Sequence, residues 1–312
     1  MITYTIRRLA LAALILFVAV TAMFLMIRAV PGDPVKIMLG PRATPELQAS
    51  LTAALGLDQP IWKQLMIFYS KMMQGDLGVD VFSGRSVTHI VMQQLPYTLE
   101  LIFASIIWSA LLGVIFGAYA AANPNTLWDR MIAFISVSFI AAPAFVIALL
   151  SLLVFAVQLR WFPAIGVGEG FWSRVHHVAL PAFAIGLSWV GYIARLVRAS
   201  MLEVLGEHHI RTARAFGLSE RRIIMVYALR IAILPVITVI GVGMGFLLSA
   251  AVFAEIVFAR PGLGKLVIDS ITTRNYPVVM GAVLVSTGLF VLSTAISDIV
   301  NAWLDPRSRQ SL

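Results

Sequence analysis

The reactive side chains of this 312-residue chain are few and badly spaced for catalysis. Its histidines are His89, His176, His177, His208 and His209. Adjacent members point different ways on a helix, and no pair has the spacing of metal ligands. Gly264-Lys265 is followed by Leu266 and lacks the upstream glycine of a phosphate-cradling G-x-x-x-x-G-K-[ST] loop, so ATP is not held in that manner. Neither G-x-S-x-G nor H-E-x-x-H occurs, and no serine and histidine stand as an intramembrane protease requires. Cysteine is absent, which excludes disulfides, thiolate metal sites and cysteine nucleophiles. What the chain does concentrate is arginine, on the polar stretch EVLGEHHIRTARAFGLSERRIIMVYALRIAILP from Glu203 to Pro235. Ile210, Ala213 and Phe216 recur there at i, i+3, i+6, Gly217 stands where a left-handed helix end belongs, and Ser219 can cap a second helix. A short amphipathic helix of this kind is shaped to be pushed by another protein.

The elements around it are membrane spans. Hydrophobic residues make up 60% of the chain and charged ones 12%, with a mean hydropathy of +0.92. That is about half the charge of a soluble domain. Six uncharged runs are long enough to cross a bilayer, which takes about 18 residues or more. They lie between Arg8 and Arg28, Glu100 and Asp129, Arg130 and Arg160, Arg174 and Arg195, Arg230 and Glu255, and Arg274 and Asp298. Backbone groups in hydrocarbon must be satisfied within their own segment, so the runs are expected to be helices and the fold an all-α membrane protein. The first run reads as an uncleaved span, because Arg28 and PGDP follow it directly instead of a polar region with a small-residue cleavage site. Arginine and lysine in the short connections divide twelve to five in favour of cytoplasmic N- and C-termini, which puts Glu203–Pro235 in the cytosol. The net charge of +8 belongs to this topology and does not call for nucleic acid.

Organisation follows from the runs: an N-terminal span (1–30), an outside insert (31–94), a five-helix core (95–305) carrying the loop 195–230, and a short tail (306–312). Turn signals break the insert at PGDP (31–34), GPRATP (40–45), LGLDQP (55–60) and GDLG (75–78), leaving Glu46–Leu55 and Ile61–Met73 as short amphipathic helices. Pro143 interrupts the third run, Pro181 is expected in the first turn of the fourth helix, and Pro235 sits near the start of the fifth. Gly113 with Gly117, and Gly241 with Gly245, are G-x-x-x-G patterns that suit close helix packing. Two acids border the spans. Glu255, beside Phe258, Arg260 and the Pro261-Gly262-Leu263-Gly264 turn, fits either a pathway residue receiving a solute ammonium or a helix-end partner of Arg260 or Lys265. Asp298 is expected to pair with Arg195 or Arg198.

Short strings along nearly the whole chain resemble the permease subunits of bacterial ABC importers of the dipeptide/oligopeptide/nickel family. They include IRRL (6–9), PGDP, LGLDQP, GDLG, PYTLEL (96–101), WFPAIG (161–166), RTARAFGLSE (211–220), ALRIAILPVIT (228–238), PGLG (261–264), NYPV (275–278) and LDPR (304–307). The insert after the first span resembles the first permease of such systems. The family's Glu-Ala-Ala…Gly…Leu-Pro signature falls on Arg211, Thr212 and Ala213, Gly217, and Leu234-Pro235. Arginine thus replaces the glutamate, and Ile231 replaces a frequent asparagine.

The resemblance implies the fold of a type I ABC importer permease in the bacterial cytoplasmic membrane. It further implies that the chain is no enzyme and holds no cofactor, ATP and Mg belonging to partner subunits. The partners implied are a homologous second permease, two ATP-binding subunits and a periplasmic or lipoprotein solute-binding protein, with membrane lipid around the spans. Its coupling helix would be Glu207–Gly217, with Ile210, Arg211, Thr212, Ala213, Arg214, Ala215 and Phe216 meeting the ATPase. The outer end of the pathway would hold Glu255, Phe258, Pro261, Gly262 and Gly264. The alternative, an ion-coupled secondary transporter working alone, expects midplane carboxylates and inverted repeats; the span centres are uncharged and the halves do not mirror each other. The solute itself is open among peptides, glutathione, nickel chelates and opine-like compounds.

Overall fold

The computed structural model describes Ile2–Ala29, Thr44–Ala54 and Asp58–Leu304. PGDP, most of GPRATP, the start of LGLDQP, the end of LDPR and the tail 306–312 lie outside these residues. Most of the described residues are helical, and among them one isolated antiparallel bridge joins Val79 and Ser86. We number the principal helices α1 (Ile2–Ala29), α2 (Pro45–Ala54), α3 (Ile61–Met73), α4 (Val87–Ala122), α5 (Leu127–Ala141), α6 (Ala144–Ser151), α7 (Phe171–Leu205) and α8 (His208–Ala215). A short turn of helix, Glu220–Arg222, is α9, and Leu229–Ala232 is α10, with a π-helical stretch Ile223–Ala228 between them. The last three are α11 (Leu234–Val257), α12 (Leu263–Thr272) and α13 (Tyr276–Leu304).

Among the described residues, five helical stretches are long and apolar enough to cross a membrane: Tyr4–Ile27, Val87–Ala122, Phe171–Leu205, Glu220–Gly241 and Tyr276–Val300. The third apolar run is bent by 101° between α5 and the segment Ala144–Gln158, and makes a sixth span if the pair counts as one. Its break is chemical. Ala142 is held extended (φ −80°, ψ 126°) ahead of Pro143, whose ring disfavours a helical conformation in the residue before it. Pro181, by contrast, lies well inside α7 and not in its first turn. The helix starts earlier, at Phe171 after Gly170 (φ 78°), because the polar FWSRVHH segment is itself helical.

Contacts divide the chain into two units. The first takes in the start of α1 to Arg8, Leu99–Arg260, and the chain from Ser293. Here α7 is the central helix, with α5, α6 and α11 against it. One apolar cluster joins Leu101, Ile147, Ile185, Leu247 and Phe258; another joins Ile193, Val197, Met201, Ile210, Ile223 and Val236. Gly113 and Gly117 let α4 approach α7 so closely that a Cβ on Gly117 would lie 2.5 Å from the Ala194 carbonyl oxygen. That G-x-x-x-G is used inside the chain. Arg8 of α1 meets Asp298 at 2.7 Å, so Asp298 does not pair with Arg195 or Arg198. Arg198 instead forks Asp129, Nε to Oδ1 at 2.5 Å and Nη2 to Oδ2 at 2.7 Å.

The second unit is Leu9–Thr98 with Pro261–Leu292. Its core is Val87, Val91, Leu263, Val278 and Ala282. Tyr69 of α3 stacks on Phe17 of α1 and donates to the Phe17 carbonyl at 2.9 Å. The loop ahead of α4 is clipped to the α12–α13 corner by Asn275, whose amide donates to Asp80. Burial alone would raise the Asp80 pKa, but hydrogen bonds from Ser83, Asn275 and the backbone N–H groups of Phe82 and Ser83 outweigh it and hold the carboxyl below its ordinary range.

Candidate functional site

The arginine-rich stretch forms a hook on the first unit. After α7 ends, Glu207 takes the extended N-cap conformation (φ −73°, ψ 157°), and its carboxylate meets His209 Nδ1 at 2.9 Å instead of capping the helix. The eight residues of α8 are too few to hold a helix alone in water. Tertiary burial supplies what is missing: Ile210 is 0% exposed and Ala213 is buried, both in the cluster with Val197, Met201, Val204 and Ile223. The opposite face, Arg211, Thr212, Arg214 and Ala215, is exposed.

Helix α8 stops where the sequence says it should. Gly217 has φ 76°, a conformation open to glycine at little cost. Its N–H bonds to the Arg214 carbonyl at 2.9 Å, and Leu218 N–H reaches back to Ala213 O at 3.2 Å, closing the carbonyls of the last turn. Arg214 then forks Glu220 across the turn, at 2.7 and 3.2 Å. Ser219 occupies the next N-cap (ψ 142°) but makes no side-chain cap bond. Ile210 and Ala213, expected to meet the ATPase, are thus buried within the chain, and of the three apolar residues only Phe216 faces out. It does not extend the apolar stripe of Ile210 and Ala213 but is 82% exposed, because the helix has ended beneath it and the turn aims it outward.

At the end of α11, Glu255 and Phe258 are buried, as is Arg260. Ala259 adopts φ 45°, left-handed for a residue that carries a Cβ. The reversal returns the Arg260 N–H to the Glu255 carbonyl at 2.8 Å and folds the arginine back into the protein. Arg260 Nη2 donates to Glu100 Oε2 of α4 at 2.6 Å. Burial pushes the Arg260 guanidinium below its ordinary pKa, against the pull of Glu100 and Glu255. Lys265 pairs with Asp269 at 3.1 Å.

In the second unit Pro261 is half-buried, Gly262 is the N-cap of α12 and Gly264 is buried. The Leu263 N–H is taken by Thr98 Oγ1 at 2.8 Å. Sequence reading did not find Glu100 as the partner of Arg260, since 160 residues separate the two. The one available signal was a lone carboxylate at the edge of an apolar run. Among the histidines, His176 and His177 are occupied with backbone carbonyls, of Trp161 and Ser173.

A bent pair beside a central helix, with a short amphipathic helix hung between spans, is the fold of an ABC importer permease. The MetNI methionine ABC transporter in inward-facing conformations superposes with a TM-score of 0.59 at 16% identity, covering 69% of this chain and 96% of that one. An amino acid ABC transporter with histidines gives 0.50 at 18% identity, over 70% and 94%. Residues 113–310 match the binding-protein-dependent transport system inner membrane component, and residues 1–102 match the N-terminal component of such systems. The glutathione transport system permease protein GsiC of Escherichia coli K12 is 36% identical over 309 residues, 99% of each chain. GsiC of Shigella dysenteriae serotype 1 shows the same identity and coverage. The chain belongs to the family of binding-protein-dependent ABC importer permeases.

Proposed function

We propose that this chain is one of two membrane subunits of an ATP-driven importer for peptide-like solutes, glutathione among them. Separate ATP-binding subunits supply the energy, and a solute-binding protein delivers cargo from outside. The solute class is suggested by the GsiC relatives. The observation that carries the mechanism is the hook. Ile210 and Ala213 tie α8 to α7, so force on its exposed face is passed to a helix that runs through the core of the first unit. Residues Glu207–Gly217 are the docking element, facing the cytosol in a chain with both termini inside. ATP binding draws the docked hooks together and favours the outward-facing state. Moving such an equilibrium from 1:99 to 99:1 takes about 5.5 kcal/mol of differential binding, within reach of two nucleotide-driven subunits.

The test is Phe216→Asp, a surface change that leaves the buried anchors in place. Insertion and melting are expected to stay normal. Co-purification of the ATP-binding subunits is expected to fall about thirty-fold, the effect of losing a hot spot worth about 2 kcal/mol. Unchanged co-purification and unchanged solute-stimulated ATP hydrolysis would overturn the docking role.

A further inference from the structure

Of the four arginine–carboxylate pairs in the first unit, the three within Leu99–Arg260 invite comparison. Arg198 meets Asp129, and Arg214 meets Glu220, through both Nε and Nη2, the side-on fork that matches a carboxylate. Arg260 is the most deeply buried of the three, 0% exposed, yet it gives Glu100 only Nη2. Its Nε and Nη1 have no hydrogen-bond partner among the described residues. Unmet donors on a buried cation are unfavourable, and a polar cluster left half-satisfied marks a place where another acceptor belongs. Glu100 is also the loosest partner present. Its side chain keeps 30% of its surface exposed and can turn away from Arg260, whereas Glu255 is 0% exposed and stays. The left-handed Ala259 holds the guanidinium in this position, and such local strain gathers at ligand clamps and switch regions.

We propose that Arg260 is a carboxylate-binding residue for the transported solute, with Glu100 as its place-holder in the empty transporter. An incoming carboxylate takes the Nε–Nη2 fork, satisfies a donor that Glu100 leaves unmet, and displaces Glu100 toward its exposed side. Glu255 remains as the fixed counter-charge, so one mobile carboxylate is exchanged for another and the charge of the cluster is unchanged. No covalent bond forms or breaks. This inference rests on the reading of the cargo as a peptide-like, carboxylate-bearing solute.

Removing the place-holder and removing the cation have opposite consequences, and this separates a binding site from a structural brace. The assembled transporter, in nanodiscs with its ATP-binding subunits and without binding protein, would be titrated with glutathione and with trialanine. Each would be paired with a control whose carboxylates are esterified or amidated, and binding read by thermal shift and calorimetry. Glu100→Gln is expected to tighten binding of the free carboxylates about ten-fold and leave the blocked controls unchanged. Arg260→Gln is expected to abolish the preference for free over blocked ligands, and Arg260→Lys, which keeps the charge but loses the fork, to retain part of it. Weaker binding in Glu100→Gln, or no difference between free and blocked ligands in the wild type and Glu100→Gln alike, would overturn the proposal. ATP-driven uptake of glutathione by the same transporter in liposomes, with its solute-binding protein now added, tests the importer itself separately. Uptake that persists with no carboxylate preference removes this site only, whereas absence of ATP-driven uptake removes the parent reading.

Discussion

The hook and the end of α11 solve opposite problems with the same residue types. On the hook, Arg214 and Glu220 form a complete fork in the open, where water would have satisfied both. At the end of α11, Arg260 is shut away from solvent with two donors unmet. The exposed pair shapes a turn; the buried one stores an imbalance. An element that docks on a partner gains from arriving rigid, since ordering it at the moment of binding weakens association. An element that responds to a solute gains from being incomplete until the solute arrives.

The sharpest way to break this contrast is Arg260→Ala. It removes the cation that Glu100 meets at 2.6 Å, and breaking a buried pair costs up to about 3–5 kcal/mol, less here because the Glu100 side chain is 30% exposed. The expected outcome is a large fall in the melting temperature of the detergent-solubilised chain, and a fall no greater than that of a surface change would place the imbalance elsewhere. Ile210→Ala addresses the hook. Truncating a fully buried isoleucine costs about 2–5 kcal/mol, felt locally as a loosened α8. Hydrogen exchange should quicken across His208–Ala215 while α4 stays protected. Gly217→Ala should give the smallest effect, about 1 kcal/mol, because a Cβ there meets nothing within 4 Å and only the left-handed backbone resists it. A larger loss on thermal unfolding would mean that the turn is packed more tightly than its open surroundings indicate.

Much of the helical layout was legible in the sequence, because hydrocarbon and local chemistry dictate it. The apolar runs marked the spans except the fifth, which begins at Glu220 inside the expected loop; Ile61–Met73 was bounded by its own turn residues, Pro143 marked the bend, and Gly217 marked the end of the hook. The misreadings came from applying local rules beyond their reach. Ile210 and Ala213 were expected against the ATPase together with Phe216, but both are buried in the chain's own core and only Phe216 of the three is exposed. Pro181 was assigned to a first turn because the preceding segment is polar, and polar residues are as helical as any once Gly170 has let the helix begin. The ion pairs were the least legible. Arg8 with Asp298 and Glu100 with Arg260 join positions that only tertiary packing brings together. Charge alone offers many partners for each; Asp298 takes Arg8, while Arg198, expected beside it, is taken by Asp129.

The account is tested most directly by solute uptake, with the solute-binding protein supplied outside, into liposomes that hold this chain with a second permease, with and without the ATP-binding subunits. It predicts accumulation of glutathione only when those subunits and ATP are present, lost in Phe216→Asp. Accumulation by the membrane subunits alone, driven by a proton or sodium gradient, would contradict it.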